Sequence, residues 1–332
     1  MNTLSLNPDG QFTQVIVDIP PVPDGGLLVK TLACGVCGTD VLKVVNRMVT
    51  KPTVLGHELV GTVSALGKGV TNFAIGDRIV AAHHVPCFKC RYCRHGNISM
   101  CDHFKATNFV PGGFAEYVTL SAEHLQYTTF KIPDNMPTEE ALFLEPLACC
   151  VRNLDRLPLL PGDTVLVVGL GSIGLMTAAL LKLRGCDVIG LDLDPARREH
   201  AKLFGVDKAQ DRFDPSVCDR NSLPDGVILT AGPARLVADA MNWVRSGGFI
   251  NLFSHLDGET VTLDSSALYH RELTLNASYS ASPDALREAF KILSADLIKL
   301  RRLLAAPYTL LNLPKAIDDV INRRVFKAAI MF

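Results

Sequence analysis

Four cysteines crowd one short stretch: Cys87, Cys90, Cys93 and Cys101, separated by two, two and seven residues. Two-residue spacers let successive thiolates turn inward on a tight loop, and four of them form the closed tetrahedral cage of a structural zinc site. A ferredoxin-type iron–sulfur run ends on a three-residue gap followed by proline. Here the last gap is seven and Asp102 follows. A disulfide-stapled loop is the other reading, and it suits an oxidising compartment. The opening residues, Met1-Asn2-Thr3-Leu4-Ser5, carry neither a basic nor an apolar leader segment. Ten cysteines in such a chain predict a reducing, cytoplasmic setting in which clustered thiols hold metal. Arg91, Arg94 and His95 in the loop read as its solvated face. Cys34, Cys186 and Cys218 read as small core or partly buried residues. Cys149 and Cys150 are adjacent on a helical stretch and so point in different directions, which suits packing rather than shared metal binding.

A second pattern binds phosphate. Gly169, Gly171 and Gly174, with Leu170, Ser172 and Ile173 between them, follow a β-branched run and open a helical stretch. In that context the first glycine makes the turn, the second lets backbone approach a pyrophosphate, and the third lets helix pack on strand. The helix start supplies N–H groups and a positive dipole end for the phosphates. Asp192, about 20 residues further on at the end of the next strand, is placed to bind both ribose hydroxyls of NAD and to repel the 2′-phosphate of NADP. Asp194 competes for that role, but its pairing with Pro195 reads as the turn into the next helix.

The elements that must position these residues change character near residue 163. Before it lie short β-type runs, 14–17, 27–30, 60–63 and 76–81, broken by glycine and proline. A helix over 138–157, capped by Thr138, follows. Beyond it, strand-like runs (164–168, 188–193, 226–229, 248–253, 273–277) alternate with helical stretches (175–184, 196–204, 234–244). That alternation predicts an α/β fold with a doubly wound parallel sheet. After Ser282-Pro283 come helices over 284–295 and 314–322 and a closing strand over 327–332. No internal repeat is visible.

The whole composition narrows the function classes. In 332 residues, Lys and Arg number 33 and Asp and Glu 34, a net charge of −1, so no electrostatic footprint for nucleic acid exists. A 48% hydrophobic fraction excludes general disorder. Eighteen uncharged residues, 164–181, reach the length of a spanning helix. Three glycines among their first eleven residues and the β-branched run before them predict strand, turn and helix instead, so the expectation is a soluble protein with no membrane contact.

Three fragments remain: Cys37-Gly38-Thr39-Asp40, Gly56-His57-Glu58 and Glu145-Pro146-Leu147-Ala148. Each alone is weak. Together with the cysteine loop, the glycine turn, Pro111-Gly112-Gly113-Phe114-Ala115-Glu116-Tyr117 and Ser246-Gly247-Gly248, they resemble the zinc-dependent medium-chain dehydrogenase/reductase family along the whole chain. The resemblance implies a Rossmann domain (149–281) inserted in a β-rich, GroES-like catalytic domain (1–148, with the zinc lobe at 87–101, and 282–332), the active site lying between them. It implies two zinc ions per chain. Cys37 and His57 match catalytic zinc ligands, and Glu58 matches a neighbour that is a ligand in some members. Liver-type alcohol dehydrogenases carry cysteine at the position of Glu145 and sorbitol-type enzymes carry glutamate, which places this chain near the sorbitol and threonine dehydrogenase branch. Cys87, Cys90, Cys93 and Cys101 match the structural zinc lobe. Thr39 matches a hydroxyl relay for the alcohol proton, and Lys327 either faces the cofactor phosphate or is an exposed strand lysine. Leu42 stands where members often carry a proton-passing histidine. The stretch 205–232 is shorter than usual, so the adenine side of the cofactor pocket is expected to lack a helix. The implied activity is hydride transfer from a secondary, polyol-like alcohol to NAD. Threonine or sugar-phosphate oxidation, and a silent zinc- and nucleotide-binding sensor, stay open. The family's usual dimer joins final sheet strands edge to edge; the matching strand, 273–278, carries no proline or charge, which predicts a homodimer or homotetramer.

Overall fold

The computed structural model describes residues 1–217, 222–255 and 260–332; Cys218 lies outside them. The chain forms two compact units, Met1–Ala148 with Ser282–Phe332, and Cys149–Ala281.

The first unit is built on an antiparallel sheet in the order Ala329–Met331, Leu27–Gly35, Glu58–Leu66, Arg78–Ala82, Thr129–Lys131, with Tyr117–Leu120 also paired to Leu27–Gly35. A smaller sheet joins Phe12–Ile16, Asn2–Leu6 and Thr53–Val54. Leu27, Val29, Leu59, Val63 and Ile79 alternate inward along their strands and pack with Phe109 and Val118. The register sets Gly35 between Glu58 on one side and Ala329 on the other. Gly35 cannot be larger, because a Cβ there would lie 1.8 Å from Glu58 Oε2. Gly56, just before the site, has φ +90°, and a Cβ there would crowd Cys34 Sγ and the Phe114 backbone. The chain can turn into His57 only through glycine.

The helix expected over 138–157 is two helices, Thr138–Ala141 and Leu144–Leu154. Pro146 has no N–H to give to residue 142, so an unbroken helix is closed to it, whereas the first turn of a new helix accepts proline. Thr138 is not the cap; Pro137 precedes the helix, and the Thr138 hydroxyl accepts a hydrogen bond from Arg78.

The second unit holds a six-stranded parallel sheet ordered Lys208–Gln210, Asp187–Leu191, Thr164–Val168, Gly226–Leu229, Phe249–Leu252, Thr274–Ala277. This is the doubly wound arrangement, with the order reversing beside Thr164–Val168, where such sheets bind ligands at the strands' carboxyl ends. The uncharged run of 164–181 is divided between the strand Thr164–Val168 and the helix Ser172–Leu183. Among the described residues, no helix is long and apolar enough to cross a membrane. Among the described residues of 211–225, a single 3-10 turn, Pro215–Val217, is the only helical element. Cys34 and Cys186 are buried, as is Cys150, while Cys149 is half-buried.

Candidate functional site

Cys87, Cys90, Cys93 and Cys101 come together as a group in which every sulfur lies within 4.8 Å of the others. Cys90 opens the one-turn helix Arg91–Arg94 and Cys101 precedes Asp102–Ala106, so helix starts aim two of the four thiols. Cys90 Sγ and Cys93 Sγ are 3.6 Å apart. Backbone N–H groups of Lys89 and Cys90 pull the Cys87 thiol down to about 6, whereas burial and the shared hydrogen bonds with Cys90 and Cys101 push Cys93 up to about 12. Four sulfurs this close cannot all ionise without a cation among them, and four thiolates are a zinc donor set. Arg91, Arg94 and His95 face solvent.

A second group gathers from distant positions. Donor atoms of Cys37, His57 and Glu58 lie within 4.8 Å of one another. Cys37 is the N-cap of the helix Gly38–Val45. Asp40, in that helix's first turn, is fully buried; its Oδ2 accepts the Cys37 N–H at 3.0 Å, and its Oδ1 lies 3.6 Å from His57 Nδ1. Burial disfavours a charged His57 ring, yet Asp40 and Cys37 outweigh it and raise the pKa well above the ordinary value. The pocket therefore attracts positive charge. One thiolate, one imidazole and one carboxylate are suitable donors for zinc, and Glu58 Oε2 is buried with no hydrogen-bond partner among the described residues, an orphaned oxygen that a cation would satisfy. Asp40 supports His57 as outer carboxylates support metal-binding histidines.

Glu145 is buried near the start of Leu144–Leu154, and its charge bears on Lys327. It is not one of the three grouped donors. Thr39 is half-buried on the first turn after Cys37, and Leu42 is half-buried one turn on. Of the two expectations for Lys327, the exposed strand lysine is contradicted: it is 5% exposed, and its Nζ donates to Glu58 Oε1 at 2.6 Å. The 269-residue separation explains why no local pattern announced the pair. Sequence reasoning also passed over Asp40 and His83. The spacing Cys-x-x-Asp, which sets a carboxylate in the first turn of the helix that Cys37 caps, was the available signal for Asp40. His83 packs its ring 4.6 Å from that of His57, and burial first, then His57 and His84, hold its pKa well below normal.

In the second unit, Gly169 turns at φ +92°, and a Cβ on Gly174 would lie 1.9 Å from the Gly169 carbonyl oxygen. Gly171 caps the helix Ser172–Leu183, and a Cβ built there would lie 3.2 Å from Arg197 Nη1. Ser172 and Ile173 form the helix's first turn. Asp192 follows Asp187–Leu191; its Oδ2 accepts the Leu170 N–H and its Oδ1 the Asp194 N–H, at 2.8 and 2.9 Å. Asp194 is the N-cap of Pro195–Ala201 and accepts from Ala196 N. Arg197, near the second glycine, was not singled out from sequence.

Residues 23–134 match the alcohol dehydrogenase GroES-like domain, and residues 172–295 match the zinc-binding dehydrogenase domain. D-arabinitol dehydrogenase 1 of Uromyces fabae is 29% identical over 99% of this chain and 97% of its own length. An L-threonine 3-dehydrogenase of Deinococcus deserti is 31% identical over 80% and 79%. A protein of Sinorhizobium meliloti 1021 described as a zinc-binding dehydrogenase, solved bound to NADP, shares 29% identity at a TM-score of 0.88, with 100% and 99% coverage. Two metal-suited clusters, a glycine turn at the switch point of a parallel sheet and these matches agree: the chain belongs to the zinc-dependent medium-chain dehydrogenase/reductase family.

Proposed function

We propose that this chain oxidises a secondary alcohol of polyol type to a ketone, with NAD as the hydride acceptor. The observation that carries the reading is the group of half-buried Cys37 with buried His57 and Glu58, in which a carboxylate oxygen has no hydrogen-bond partner among the described residues. Zinc held there supplies a Lewis acid that makes a substrate hydroxyl acidic. Glu145 completes the donor set, directly or through water. Cys87, Cys90, Cys93 and Cys101 hold the second zinc, whose role is structural.

The remaining work falls to the chain's own groups. Asp40 fixes the His57 ring so that one nitrogen is engaged and the other is free for the metal. The Thr39 hydroxyl would take the proton from the substrate hydroxyl, and because Leu42 carries no group to pass it on, water would carry it out. Gly169, Gly171, Ser172, Ile173 and Gly174 receive the pyrophosphate at a helix start. Each Asp192 oxygen accepts one backbone N–H, which leaves lone pairs for the ribose hydroxyls.

The test is NADH formation across polyols, threonine and simple secondary alcohols, with zinc measured in the same preparation. Turnover on polyols supports the reading, turnover on threonine alone moves it to the amino-alcohol branch, and NADH binding with no turnover on any of them contradicts it. Asp192→Ala should weaken NAD binding roughly tenfold, the scale of a lost charge-assisted hydrogen-bond pair. It should also relax discrimination against NADP; a wild type that prefers NADP contradicts the assignment.

Self-association is proposed through the strand Thr274–Ala277. It is the edge of the parallel sheet and largely exposed, with Leu275 45% accessible and no proline or charge to guard it. Light scattering should find a homodimer or a dimer of dimers at micromolar concentration, and a monomer contradicts this.

A further inference from the structure

Lys327 and Glu58 form an ion pair where ion pairs are expensive. Their side chains are 6% and 0% exposed, and Nζ meets Oε1 at 2.6 Å. Desolvating two charges cancels most of their attraction, so such a pair is a poor device for stability alone. Its position is set with care. Lys327 N donates to the Leu303 carbonyl and the Lys327 carbonyl accepts from Ala305 N, so the backbone is held on both sides. Two residues on, Ala329 pairs with Gly35, and Gly35 pairs with Glu58. The side chain that glycine lacks leaves the space that Glu58 Oε2 fills, so the ammonium reaches one oxygen while the other stays buried with no hydrogen-bond partner among the described residues.

From this geometry we propose that Lys327 is a positioning residue that limits how far Glu58 engages the metal. A carboxylate with both oxygens free can chelate a cation and close its coordination shell, whereas catalytic zinc needs an open position. With Oε1 held by an ammonium, one oxygen remains for the metal, and its donor strength is reduced by the neighbouring positive charge. The inference rests on Cys37, His57 and Glu58 holding zinc, as proposed above.

The experiment follows zinc transfer to a chromogenic chelator, together with the visible spectrum of cobalt-loaded enzyme. Lys327→Met should slow release of one of two zinc ions by about tenfold or more, the scale on which outer partners alter a metal site. Its cobalt bands should weaken as an oxygen ligand is added, and Lys327→Arg should restore release close to wild type. In a Glu58→Gln background, Lys327→Met should change nothing further. Equal slowing in both backgrounds would show that Lys327 acts through site charge alone and would overturn the proposal. So would unchanged release from a protein that holds two zinc ions. If Lys327→Met does not fold, Glu58→Gln is compared with the uncharged double variant: equal release supports the proposal and slower release in the double variant overturns it. A folded wild type with about one zinc per chain instead defeats the metal reading of Cys37, His57 and Glu58, and the proposal falls with it.

Discussion

The first unit carries two metal-suited clusters built in opposite ways. The cysteine lobe draws four identical ligands from one stretch of 15 residues, Cys87 to Cys101, on a loop whose arginines face water. The other group draws three different ligands from two segments, and its nearest supports, Asp40 and Lys327, come from a helix and from the end of the chain. A local cage of four thiolates needs only the loop's own backbone and leaves a metal nothing further to bind. A mixed cage needs the sheet and the helix Gly38–Val45 to hold it, with Asp40 beside His57 and Lys327 on Glu58. The difference separates a site that stabilises from a site that reacts.

Removing one ligand from each cluster tests that contrast most severely. Cys37→Ser should cut kcat by roughly a thousandfold, the scale of losing a principal stabiliser of developing charge. Its Tm should stay within a few degrees of wild type. Cys93→Ser should do the reverse: loss of a structural metal costs about 3 kcal/mol, which lowers Tm by roughly 6–12 °C in a unit of this size. Activity per folded molecule should survive. Stopped-flow turnover and thermal unfolding on the same samples give both readouts, and matching losses in the two variants would erase the distinction. A smaller change sharpens it. Asp40→Asn keeps the shape beside His57 but removes the charge, and should speed zinc loss from that site by roughly tenfold. The lobe zinc, which has no contact with Asp40, should leave at its usual rate.

The two clusters were also unequally legible. The lobe could be read from spacing because all of its geometry is local. Cys37 and His57 carry no such pattern and emerged only through resemblance, and Glu145 through one position within that resemblance. The pair of Lys327 with Glu58 went unread, since nothing near Lys327 in sequence announces Glu58; the pairing depends on Gly35 and Ala329 standing between them in register. In the second unit the alternation of strands and helices and the glycine turn lay open to reading, because period and turn chemistry are local properties. The break between Thr138–Ala141 and Leu144–Leu154 was missed although its cause, Pro146, was in plain view.

The most direct test is zinc counted per chain in wild type, Cys37→Ser and Cys93→Ser, each purified without added metal. Two independent sites predict about two, one and one, with the zinc left in Cys37→Ser released only as the protein unfolds. A wild type with about one zinc and full activity, or a Cys37→Ser variant that still holds two, would contradict the assignment of a structural and a reactive metal to these two clusters.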